Sequence, residues 1–188
     1  MESRENQIFN RENITKQTFS NMKFSECNFE NYTFLEHDFR GAHFFECNFN
    51  SCNLHMLKME GCRFQDVLFE ECKIVGGEFF KCDKRFFSPR FMTCVLMGCN
   101  FSNLKMKQTS FLSSKVKECH FSETYLVEAN FQESDLEGTI FHHADLSRAD
   151  FRNAKNYSID PTVNILKKAH FSMPEALSFL NFFDIQIS

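Results

Sequence analysis

Large apolar residues recur at every fifth position from Phe9 to Phe79: Phe9, Ile14, Phe19, Phe24, Phe29, Phe34, Phe39, Phe44, Phe49, Leu54, Met59, Phe64, Phe69, Ile74 and Phe79. The rhythm then slips by two residues and resumes as Phe86, Phe91, Leu96, Phe101, Met106, Phe111, Val116, Phe121, Leu126, Phe131, Leu136, Phe141, Leu146 and Phe151. A period of five fits neither a helix, with its 3.6-residue repeat, nor a strand, with its repeat of two. It predicts a solenoid in which each five-residue unit repeats one local environment.

The position two residues before each central residue is small in most units, as at Cys27, Ala42, Cys47, Cys52, Ser114, Thr124, Ser134 and Ala149. All nine cysteines fall at this position, so the thiol is read as a small hydrophobe. The other three positions are mostly polar, as in Ala144-Asp-Leu146-Ser-Arg.

Units of this form resemble the pentapeptide-repeat family over about residues 9–154, with small-Asp/Asn-Leu/Phe-polar-polar as the shared pattern. The resemblance implies an all-β fold, a right-handed quadrilateral β-helix of about seven coils in which residues twenty apart stack, closed by a short C-terminal α-helical cap. The expected organisation is a lead-in over 1–8, the solenoid over 9–155 with an interruption near 80–90, and a cap and dimerisation segment over 156–188. Stacking by twenty sets Cys27 over Cys47, Cys52 over Cys72, Cys62 over Cys82 and Cys99 over Cys119. In-register parallel neighbours hold their β-carbons farther apart than a disulfide requires, so these thiols are expected to stay reduced.

Composition narrows the function. No catalytic grouping is visible: the seven histidines are scattered, no metal-ligand spacing occurs, and six glycines leave no material for a phosphate cradle. The expectation is a non-catalytic protein without cofactor or metal. The polar N-terminus and the lack of a long apolar segment suggest neither a secretory signal nor a membrane span, and point to the cytoplasm.

The interruption contains Phe80, Lys84, Arg85, Phe87 and Arg90, either as a two-residue bulge that re-phases the coil or as a projecting contact loop; an exposed Phe80 or Phe87 would favour the loop. Beyond Asn156, Asp160-Pro161 predicts a helix start running to about Lys168, Ser172-x-x-Glu175 predicts a second helix through a capping box, and 183–187 alternates like a strand. A solenoid end must be covered. The tail also resembles that of stand-alone bacterial pentapeptide proteins that dimerise end to end, which implies a homodimer interface at Leu177, Phe179, Leu180, Phe182, Phe183, Ile185 and Ile187.

Charge is uneven along the chain. Residues 84–117 hold seven cations and no carboxylate, whereas 118–150 hold Glu118, Glu123, Glu128, Glu133, Asp135, Glu137, Asp145 and Asp150 against Arg148 alone. The resemblance implies a relation to the quinolone-resistance and gyrase-inhibitor group, whose members imitate DNA on type II topoisomerases. DNA gyrase or topoisomerase IV is then the implied partner, with the acidic residues as the interaction surface and no direct binding of nucleic acid. A formal charge of −4 excludes imitation of DNA by the whole rod, because duplex DNA of the same length carries roughly twenty charges. The other reading, a generic interaction scaffold, stays open; the side of the solenoid that holds the carboxylates separates the two.

Overall fold

The computed structural model describes residues 1–12, 14, 19–183 and 185. They form a four-sided parallel β-solenoid of about eight turns with one short helix near the C-terminus. The first side begins at Ser3–Glu5 and stacks Lys23–Ser25, His43–Phe45 and Arg63–Gln65. The second runs from Ile8–Phe9 through Asn28–Glu30, Asn48–Asn50 and Leu68–Glu70 to Arg90–Met92. The third carries Thr33–Leu35, Asn53–His55, Lys73–Val75, Val95–Met97 and Lys115–Lys117. The fourth is joined largely by single bridges, such as Asp38 with Lys58 and Asn100 with His120.

The five-residue rhythm places the central residues inside, Phe86 excepted. Phe9, Phe29, Phe49, Phe69, Phe91, Phe111, Phe131, Phe151 and Phe171 form one continuous column on the second side, with successive ring centroids 4.5–5.2 Å apart and near-parallel planes. Phe79, Phe101, Phe121 and Phe141 form a second column on the fourth side at 4.6–5.2 Å. Rings of these two opposed columns meet edge-on across the interior, as Phe111 meets Phe121 at 87°. Offset stacking within a column and edge-to-face contact between columns are the two arrangements that the ring quadrupole favours.

Between units the chain turns through a left-handed residue two places after each centre: Glu26, Asn31, Glu36, Glu118, Glu123 and Glu128 all have φ near 50–60°. That conformation is costly for a side-chain-bearing residue. It is held because each such amide donates to a carbonyl of the next coil, as Glu26 to Phe45 and Glu118 to Glu137, both at 2.9 Å.

The solenoid is longer than the expected 9–155. Arg4 pairs with Phe24, so residues 3–5 of the expected lead-in already belong to a coil, with an arginine where the pattern would place an apolar residue. At the other end, Asp145 bridges Ile165 and Asp150–Phe151 pairs with His170–Phe171.

The helix expected over 160–168 is absent. Asp160 does cap a turn, its Oδ1 accepting from the Thr162 amide at 2.8 Å, and the Asn164 amide donates back to the Asp160 carbonyl. One turn is all that forms, because Asn164 swings into the solenoid corner. There its Nδ2 donates to the Phe141 carbonyl and its Oδ1 accepts from the Ala144 amide.

The second helix is present at Glu175–Phe182 as a 3-10 helix, without the capping box. Ser172 Oγ instead accepts from the Asn153 amide of the last coil. The strand expected over 183–187 lies largely outside the described residues, and Ile187 with it.

Candidate functional site

The nine cysteines are buried and free, and burial pushes the Cys47 thiol up to about 12 and the Cys62 thiol well above its ordinary value. The thiols do more than fill space. Cys52, Cys72 and Cys94 each donate to the carbonyl of a central residue one coil below, Phe29, Phe49 and Phe69, at 3.3 Å. Thr124, Ser134, Thr139 and Asn164 make the same bond to Phe101, Phe111, Val116 and Phe141. The corner position therefore takes a small side chain and uses a donor where one is present, and reading the thiol as a small hydrophobe captured only half of that.

Among the described residues no group of histidine, cysteine and carboxylate side chains is placed to hold a metal, and no helix is long and apolar enough to cross a membrane.

The eight candidate carboxylates do not form one surface. Glu118, Glu123, Glu128 and Glu133 occupy successive left-handed turns and so sit at four different corners. Asp135 and Glu137 lie on the third side, Asp145 on the first and Asp150 on the second. Cations pair with four of the eight. Lys117 reaches Glu137 at 2.6 Å and Asp135 at 3.2 Å, and Arg152 reaches Asp150 at 2.6 Å. Arg148 reaches Glu128 at 2.8 Å, and hydrogen bonds from Arg148 and Gln108 hold the Glu128 carboxyl below its ordinary range. The strong charge blocks in the sequence thus become alternating signs in space, because residues twenty apart, such as Lys117 and Glu137, are neighbours.

The interruption is a compact anchored loop. Phe79 starts a 3-10 turn, Phe79–Lys81, and the next centre is Phe87, which is buried and bridges Phe64; Phe86 is only half-buried. Three residues are inserted before Phe87 and one is lost before Phe91, which gives the net slip of two. Asp83 ties the loop down, accepting from Arg63 and from Arg85, whose hydrogen bonds lower its carboxyl to about 2. The Arg63 guanidinium also lies 4.7 Å from the Phe86 ring centre. Of the two phenylalanines that could mark a contact loop, Phe80 is exposed, with Lys81 near its ring, and Phe87 is not. Lys84, Arg85 and Arg90 face solvent.

At the C-terminal end Phe179 covers the open core, its ring edge-on to Phe171 at 4.7 Å and within 6.1 Å of Tyr157. Leu180 and Phe182 are half-buried, whereas Leu177, Phe183 and Ile185 are exposed. The expected interface residues therefore divide between closing the monomer and facing outward.

One feature escaped the reading in fives. On the third side, the residue after each centre stacks as Leu35, His55, Val75, Met97 and Lys117, so that three apolar side chains face outward where the pattern calls for polar residues. The signal was present in the sequence at steps of twenty rather than five.

The family described as "Pentapeptide repeats" matches residues 23–66 and 117–155 with eight copies. A search of curated protein sequences finds no match. Among solved structures, a trypsin-treated variant of QnrB1, a plasmid-mediated fluoroquinolone resistance protein, is similar at a TM-score of 0.63 and 15% identity, covering 100% of this chain and 98% of that one. Full-length QnrB1 is similar at a TM-score of 0.56 and 15% identity, covering 97% and 100%.

Proposed function

We propose that this chain, a pentapeptide-repeat protein, is a non-catalytic binding rod that engages a protein partner through the side chains on its outer faces. The observation that carries the reading is the complete occupation of the interior by aromatic columns and corner hydrogen bonds, which leaves only shape and surface side chains to act. Enzymes need a concave site with convergent polar groups. Here the charged side chains stand on the outer faces, several of them in ion pairs such as Lys117 with Glu137.

Type II topoisomerase, gyrase or topoisomerase IV, is the partner we propose to test first, on the strength of the end-to-end likeness to QnrB1. Shape, rather than a DNA-like array of charge, would carry that contact, because the carboxylates are spread over several sides and half of them are paired with cations. The cap residues Leu177, Phe183 and Ile185 are proposed to join two copies end to end, since three exposed apolar side chains beside an aromatic plug suit a C-terminal homodimer. A supercoiling assay with purified topoisomerase, with and without a quinolone, tests the reading. Restored or altered supercoiling at stoichiometric protein supports it. No change at a large molar excess removes topoisomerase and leaves the scaffold reading with another partner.

A further inference from the structure

The apolar side chains on the third side are flanked by a row that carries two lysines. The residues before each centre stack as Thr33, Asn53, Lys73, Val95 and Lys115, parallel to Leu35, His55, Val75 and Met97. Leu35 and Met97 are 58% and 39% exposed, and Met56, also 58% exposed, leans across the turn toward Gly76. Lys73 and Lys115 make no ion pair among the described residues, in contrast to Lys117, which two carboxylates hold. Between the rows lies a groove lined by Thr33, Leu35, His55, Lys73 and Val75, and the His55 Nδ1 is buried there without a hydrogen-bond partner. A buried ring nitrogen is destabilising until something pairs with it.

We infer that this groove docks an amphipathic, acidic helical segment of a partner protein. The ladder hydrogen bonds run along the solenoid axis and are used within the coils, so this side presents side chains and no free backbone. An occupant must therefore satisfy its own main chain, which a helix does and an extended segment does not. From the Leu35 coil to the Lys115 coil is four steps of about 4.8 Å, or about 19 Å, the length of a helix of about 13 residues. Its apolar stripe covers Leu35, Val75 and Met97, its flanking carboxylates meet Lys73 and Lys115, and one polar side chain reaches His55. The inference rests on the reading of the chain as a protein-binding rod, but not on topoisomerase as the partner.

The test uses the full chain and a fluorescent 14-residue lactam-stapled peptide with leucines at i, i+3, i+4 and i+7 and glutamates on the flanks. Fluorescence anisotropy is expected to give a micromolar Kd that weakens as salt is raised. Leu35→Glu with Met97→Glu should weaken binding at least tenfold with unchanged circular dichroism and melting temperature. Lys73→Glu with Lys115→Glu should weaken it several-fold and flatten the salt dependence. Equal binding of a scrambled peptide of the same composition, or unchanged binding by both variants, overturns the inference. So does a shift from dimer to monomer in the Leu35/Met97 variant, which would assign the groove to a second copy of this chain. Loss of peptide binding with topoisomerase activity retained would remove this groove alone, and the reverse would remove topoisomerase alone.

Discussion

Thr139 Oγ1 donates to the Val116 carbonyl at 2.6 Å while accepting from the Cys119 amide at 3.4 Å, so one hydroxyl ties a corner of one coil to two backbone groups of the coil below. Thr139→Val keeps the shape and removes both bonds, leaving the buried carbonyl without its donor. The expected loss is about 1–3 kcal/mol in urea unfolding, with Thr139→Ser recovering most of it. Equal stability of the valine variant would show that the corner needs only small volume.

The aromatic columns predict a steeper cost. Phe101 is fully buried, stacked on Phe79 at 4.6 Å and on Phe121 at 4.9 Å, with Phe91 and Phe111 edge-on. Phe101→Ala opens a cavity that backbone ladders on all four sides prevent from collapsing. A loss of about 3–5 kcal/mol is expected from denaturant unfolding. The same change at Phe80, which is exposed, should cost less than about 0.5 kcal/mol.

Burial of every cysteine predicts silence toward thiol reagents. In native buffer near neutral pH none of the nine should react within minutes, and all nine should react in denaturant. Rapid native labelling of one or two would mean that a coil opens locally.

The loop anchor has a pH signature. Asp83 is held at about 2 in the folded chain, against about 3.9 for an unperturbed aspartate. A lowered folded value means that the ionised carboxylate adds stability above pH 4, and that this is lost as the pH falls through about 2. Wild type should exceed Asp83→Asn by about 1 kcal/mol or less at pH 6, since Arg85 is exposed, and the gap should shrink as the pH falls toward about 2 and close below it. A gap independent of pH would mean that the anchor is steric.

Much of this fold was legible because one spacing decides it. A period of five with twenty residues per coil fixes which side chains face inward, and the columns through Phe29 and Phe121 follow directly. What the spacing could not carry was vertical context. Lys117 and Glu137 lie in blocks of opposite charge in the sequence but are partners one coil apart, so a linear count of charge overstated an acidic surface. The Asp160 cap signal was genuine, yet the corner bonds of Asn164 outweighed one more helical turn. Phe87 rather than Phe86 took the core position, because an insertion and a deletion offset each other and a fixed stride reports only their sum.

Direct binding of the purified chain to an immobilised type II topoisomerase, measured by biolayer interferometry with linear duplex DNA as competitor, tests the central claim most closely. Saturable binding at micromolar concentration or tighter, unchanged by Glu118→Gln with Glu133→Gln, is the predicted result: a shaped rod engaging a protein without relying on an acidic face. No binding to gyrase or topoisomerase IV at about 100 µM, or binding abolished by those two neutral substitutions, would contradict it.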